Sequence, residues 1–192
     1  ELGMRGTDTN NGCVTVGAGG AITATDVDSS NTENDVNDVS LTTTAGNINI
    51  GTITAGVMND VTLNSAGSIV DDGNPGTVIA ADQLVADATG SITIDTTVAS
   101  ADVSSTGTGS IDIDETDAIV LTDVDANDGS ITVDAGGQIT ATDVDSSATD
   151  NDANDISLST TSGDIAVVTI NAGIANDVTL NAAGSVTDDG NA

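Results

Sequence analysis

The sequence predicts an all-β fold, a parallel β-solenoid of about eight turns, each of about 19–28 residues and three short strands. Three observations carry this reading. First, GGAITATDVDSS at Gly19–Ser30 returns as GGQITATDVDSS at Gly136–Ser147, so the chain contains copies of itself. Laying residue 1 on residue 118 pairs identical residues at roughly 60% of positions, a self-similarity that chance periodicity does not produce. Second, a shorter phrase recurs eight times inside this long unit: aliphatic, usually Ser or Thr, aliphatic, a short gap, Gly, any residue, Ile or Val. Third, Phe, Tyr, Trp and His are all absent. A narrow coil interior filled by layers of Val, Ile, Leu and Ala has no need of them.

The first strand of each phrase is Val14-Thr15-Val16, Val39-Ser40-Leu41, Val61-Thr62-Leu63, Leu84-Val85-Ala86, Val103-Ser104-Ser105, Ile131-Thr132-Val133, Ile156-Ser157-Leu158 and Val178-Thr179-Leu180. Alternation of inward aliphatic and outward Ser or Thr is the period of two expected of a strand with one buried face. A glycine then turns the corner without a Cβ penalty: Gly20, Gly46, Gly67, Gly90, Gly109, Gly137, Gly163 and Gly184. Two places on, Ile22, Ile48, Ile69, Ile92, Ile111, Ile139, Ile165 and Val186 begin the second strand. A third apolar group follows at Ile53, Val78-Ile79-Ala80, Val98, Ile119-Val120-Leu121 and Ile170. Each buried aliphatic contributes about 1.5–3 kcal/mol, whereas ordering each residue costs about 1–2 kcal/mol. A single turn therefore cannot stand alone, and stability comes from stacking turns about 4.8 Å apart.

Residues 1–192 read as one continuous solenoid segment, with a long copy at 1–117 and a partial copy at 118–192. The second copy stops at DDGNA where the first continues DDGNPGTVIAAD, which reads as a segment of a longer array. A string of immunoglobulin-like or cadherin-like sandwiches competes, with Asn37-Asp38 and Asn154-Asp155 in linker-type calcium motifs. It would lack any aromatic core residue and leaves the Gly-x-Ile phrase unexplained.

Composition narrows the function. Thirty-one acidic residues stand against one basic residue, Arg5, for a net charge of −30. Nucleic acid and anionic lipid are excluded as partners, because both require Lys and Arg. No run approaches the ~18 apolar residues of a membrane span, so direct membrane insertion is not expected. Acid–base chemistry would fall to carboxylates alone, and no enzyme or catalytic site is predicted. Outward Thr15, Thr62, Thr132 and Thr179 suggest an ice-binding column, but Ser40, Val85, Ser104 and Ser157 interrupt it. The lone cysteine, Cys13, excludes an internal disulfide and is expected to be a small, partly buried residue.

The acid is nearly all aspartate, a residue of turns and short metal loops. The densest group holds Asp26, Asp28, Glu33, Asp35 and Asp38, echoed by Asp143, Asp145, Asp150, Asp152 and Asp155. A third places Asp123, Asp125 and Asp128 ahead of Gly129; it departs from an EF-hand, which needs Gly at the sixth position, here Asp128, and Glu at the twelfth, here Asp134. Asp26, Asp28, Asp35, Asp38, Asp123, Asp125, Asp128, Asp143, Asp145, Asp152 and Asp155 are thus candidate ligands, and oxygen-only donors point to Ca²⁺. Stacking should bring Asp38 near Asp60, and Asp155 near Asp177, at about the 4.8 Å rung spacing. Either the carboxylates cap backbone N–H groups or divalent cations bridge them.

The phrases Gly-x-Ile-Thr and Val-Thr-Leu-Asn-x-Ala-Gly-Ser, clearest at Val61–Ile69 and Val178–Val186, resemble the filamentous-haemagglutinin-like and other giant secreted adhesins of bacteria. The resemblance implies a right-handed β-helix, secretion to the cell surface, and an adhesive fibre or stalk that meets a host, surface or matrix ligand. Self-association along the solenoid axis, as a filament or sheath subunit, is the alternative.

Overall fold

The computed structural model describes residues 1–9, 12–30, 36–76, 78–149, 151–188 and 190. Among them every regular element is a strand, and all strands join one 18-stranded sheet whose pairings are parallel. Parallel pairing of each strand with its counterpart one turn away is the solenoid arrangement, and it removes the antiparallel sandwich alternative.

The alternation in the sequence fixes which side chains face inward. In Val39–Thr43 the buried residues are Val39, Leu41 and Thr43; in Ile111–Glu115 they are Ile111, Ile113 and Glu115. Ladders then stack like on like. The first wall runs Val14, Val39, Val61, Leu84, Ala101, Leu121. The second runs Ile22, Ile48, Ile69, Ile92, Ile111, Ile131, Ile156, Val178. A third wall carries Val27, Ile53, Ile79 and Thr96. The aliphatic layers form one axial core, with Ile22, Leu41, Ile48, Leu63 and Ile111 fully buried. Val178 is 46% and Val186 50% exposed.

The eight Gly-x-Ile phrases do not all keep to one wall. Val14 lies on the first wall, but its counterpart Ile131 lies on the second, above Ile111. Five turns from Val14 lead to Leu121, and one further wall leads to Ile131, so the long repeat spans five turns plus one wall. The cause is the stretch between Gly109 and Gly137, which holds a whole turn and an extra wall. Gly129, not Gly137, stacks on Gly109: a Cβ on Gly129 would lie 2.4 Å from the Gly109 carbonyl oxygen, whereas one on Gly137 would meet Ala118 and Asp117.

Corners are closed by buried hydroxyls and amides. Thr43 Oγ1 donates to the Gly46 carbonyl at 3.0 Å and accepts from the Ala66 N–H at 3.2 Å, tying two turns together. The Asn-Asp doublets divide their work. Asn59 is fully buried; its Nδ2 donates to the Ala55 carbonyl at 3.0 Å, and its Oδ1 accepts the Asn37 N–H at 2.9 Å. Asn176 repeats this with Ala172 and Asn154 in the second copy. Asn59→Ala will strand a buried carbonyl and a buried N–H, and denaturant titration should show a loss of about 2–3 kcal/mol. Cys13 is exposed rather than partly buried, because it precedes the first inward position, Val14.

Candidate functional site

The candidate ligands divide into caps and ladders. Asp38 and Asp155 are caps: each Oδ1 accepts the backbone N–H of the aspartate one turn later, Asp60 at 3.0 Å and Asp177 at 2.8 Å. The first of the two ways of accommodating stacked carboxylates is therefore used at these corners. Asp28 and Asp145 close their own turns, accepting the N–H of Ser30 at 2.8 Å and of Ser147 at 2.6 Å. Asp128 accepts from Asn151 Nδ2 at 3.0 Å and Thr149 Oγ1 at 2.9 Å, and these donors hold its carboxyl below the usual range. Asp26 and Asp152 are exposed, Asp26 pairing in register with Thr52. Asp35, with Glu33 and Asp150, lies outside the described residues.

Asp123, Asp125, Asp143 and Asp145 do come together. Asp102 pairs with Asp123, and Asp125 with Asp145, on successive turns of the first wall; Asp123 and Asp143 occupy matching places between Leu121↔Ala141 and Val124↔Val144. Burial first, then Asp123, Asp145, Asp143 and Asp102, push the Asp125 carboxyl up to about 6. Asp125 and Asp145 line a groove of about 300 Å³ with Ser104, Asn127 and Ser147. The first copy of this cluster sits elsewhere: Asp28 pairs with Asp8 and Thr54 on the third wall. The one-wall advance thus puts the identical TATDVDSS segments, with Asp26 and Asp28 in one and Asp143 and Asp145 in the other, on different walls.

A second ladder went unread in the sequence. Asp95, Asp114 and Asp134 pair in register on three successive turns of the second wall, with Asp112 opposite Thr93 and Thr132. Burial and mutual repulsion, with Asp71 contributing throughout, raise Asp95, Asp112 and Asp114 above the usual range. Each ladder aspartate directly follows an inward aliphatic, Ile94, Ile113 or Val133, which was the available signal. Beneath this ladder lies Glu115, only 4% exposed, in a layer filled in neighbouring turns by Thr96, Ala135 and Thr160. Its Oε2 accepts from Thr96 Oγ1 at 2.8 Å and the Val98 N–H at 3.1 Å, and its Oε1 from the Asp117 N–H at 3.0 Å. Burial raises the Glu115 carboxyl, and these donors oppose it.

The chain is a parallel β-solenoid of about eight turns. Family models, curated proteins and solved structures offer no match to it. Among the described residues, no three acidic or cysteine side chains converge as a metal cage. What the solenoid presents is two extended carboxylate ladders on adjacent walls, facing a chain with a single cationic side chain.

Proposed function

We propose that this chain is a structural and adhesive segment of an extracellular bacterial surface fibre or stalk. The observation that supports it is the single axial core running through every turn, with polar and acidic side chains turned outward along its length. Such a scaffold transmits length and displays a repeated surface, and about eight turns at about 4.8 Å give a rod of about 4 nm. The adhesin-like phrases support the same reading, since Val61–Ser65 and Ile69–Asp71 are a first-wall strand, a corner and a second-wall strand of one turn. Cells carrying the parent protein should attach to surfaces more strongly than cells lacking it; equal attachment with intact surface display would refute the adhesive part.

Calcium enters this reading as a counter-ion for the ladders, through oxygen donors alone. Ca²⁺ should raise the melting temperature more than NaCl of matched ionic strength, and EDTA should reverse the gain. An equal response to both salts would remove calcium from the reading.

The parallel, in-register pairing of like strands on successive turns favours a second reading, in which copies stack end to end as a filament or sheath. Concentration-dependent fibres in electron micrographs would support it, and a persistently monomeric particle would count against it.

A further inference from the structure

Where the third wall turns into the first, an apolar groove of about 350 Å³ opens between Val57, Ala81, Val98, Ala99 and Ala118, with Asp82 and Asp117 beside them. These residues sit on successive turns: Gly56 pairs with Ala81, Ala81 pairs with Val98, and Thr97 Oγ1 donates to Thr116 Oγ1 at 3.0 Å on the turn after. The groove therefore runs along the solenoid axis over four turns, about 14 Å at the rung spacing. Short alanine side chains form its trough, and Val57 stands over one end of it, 76% exposed. A smaller pocket of about 120 Å³ shares Ala118 and carries the apolar surface on to Val120 and Gln138.

Val57 stands out because of the corner that carries it. Gly56 has a φ of +98° and lies at a register shift, so the chain leaves the ladder there and turns the next side chain to solvent. The second copy builds the same corner: Gly173 has a φ of +84°, and Ile174 after it is 94% exposed. In both, the Asn and Asp that follow serve the fold, as described above, and the bulky aliphatic does not. A single exposed aliphatic needs no explanation, but one that recurs, and that overhangs an apolar trough, points to a contact outside the chain.

Charge selects the partner. Asp82 and Asp117 are exposed beside the trough, the chain carries a net charge of −30, and its single basic residue, Arg5, is not among the lining residues. A second copy would bring the same excess of acid to the same place. A polypeptide segment with aliphatic side chains between lysines or arginines matches both features, and about four or five extended residues span the groove.

We propose that this groove docks an extended basic segment of another protein, with its aliphatic side chains in the trough beside Val57 and its Lys or Arg side chains on Asp82 and Asp117. The proposal rests on the adhesive reading, for which it names the chemistry of the partner. Burial of aliphatic surface holds the segment, and the two carboxylates steer and orient it.

The test titrates the full chain with the synthetic peptide Lys-Val-Lys-Val-Lys-Val-Lys at near-physiological salt with EDTA present, read by calorimetry and methyl NMR. Binding should saturate at one peptide per groove, with the largest methyl shifts at Val57, Val98, Ala99 and Ala118. Val57→Ser should weaken it about fivefold, the loss of one aliphatic contact. Asp82→Asn combined with Asp117→Asn should weaken it about tenfold and flatten its salt dependence. All three side chains are exposed, so these variants should melt within about 2 °C of the parent. Val168→Ser, at a half-exposed valine outside the groove, should change nothing. Equal binding of Lys-Ser-Lys-Ser-Lys-Ser-Lys, or shifts spread along the aspartate ladders, would reduce the interaction to bulk charge attraction and overturn the proposal, as would a titration that never saturates. Self-association of the chain that Val57→Ser abolishes, with no peptide bound, would give the groove to a second copy and overturn it as well. Cell attachment is read separately: equal attachment refutes the adhesive reading whatever the peptide does, and an unbound peptide refutes the groove whatever the cells do.

Discussion

Gly109→Val will lower the melting temperature by about 15 °C or prevent folding. A Cβ at this position would lie 2.4 Å from the Ser91 nitrogen and 2.5 Å from the Gly90 carbonyl carbon, distances no real Cβ tolerates. Both obstacles are backbone, so no rotamer change can relieve them. The two turns would have to move apart, and the ladder bond from the Ile92 N–H to the Ser110 carbonyl, 3.0 Å long, would break with its neighbours. Overpacking of a rigid site typically costs about 1–3 kcal/mol, and more where nothing yields. Gly17→Val is the matched control: nothing lies within 4 Å of a Cβ there, and the residue sits in a strand, so its melting temperature should move by no more than about 2 °C. Similar losses at both sites would show that glycine flexibility, not close approach of backbones, is what the corner needs.

Glu115→Ala should cost about 3 kcal/mol, which denaturant titration at neutral pH will measure. Two opposing effects decide the sign. Burying the carboxylate is unfavourable, and alanine fits the layer, since Ala135 occupies it one turn later. Against this, the substitution strands the Val98 N–H, on a residue 2% exposed, takes an acceptor from the exposed Asp117 N–H, and leaves Thr96 Oγ1 only its 3.5 Å bond to the Asp114 carbonyl. Stranded buried donors cost about 1–3 kcal/mol each, so their loss outweighs relief of the buried charge. Glu115→Gln keeps one acceptor oxygen and should lose less than half as much. The position matters because Thr96 pairs with Ile79 below and Glu115 above, where the third wall gives way to the second. A neutral or stabilising Glu115→Ala would mean that those N–H groups find water or another acceptor.

Most of the solenoid was legible because a period of two needs only local chemistry. Val39, Leu41, Ile111 and Ile113 announce their inward side by alternation alone, and buried they are. The same parity pointed inward at Glu115, but a carboxylate there contradicts hydropathy, and only the Thr96, Val98 and Asp117 donors make its burial tolerable. The caps at Asp38 and Asp155 were anticipated as one of two outcomes, because stacking before equivalent strands follows from the phrase itself. The Asp95–Asp114–Asp134 ladder was not: aligning the corner glycines puts Asp134 in a different column from Asp114. That alignment took the interval between Gly109 and Gly137 as one long turn. Sequence similarity follows descent of the repeat, whereas pairing follows the number of residues needed to circle the core, and here the two disagree by one side of the triangle.

That disagreement bears on how this repeat behaves when it recurs. Because each unit of five turns and one wall leaves off one side further round, identical motifs trace a screw, and three consecutive units are needed to restore the starting azimuth. A fibre made of such units would show the same feature to all directions in turn, instead of along a single seam, and would have no preferred side on which to bend or bind.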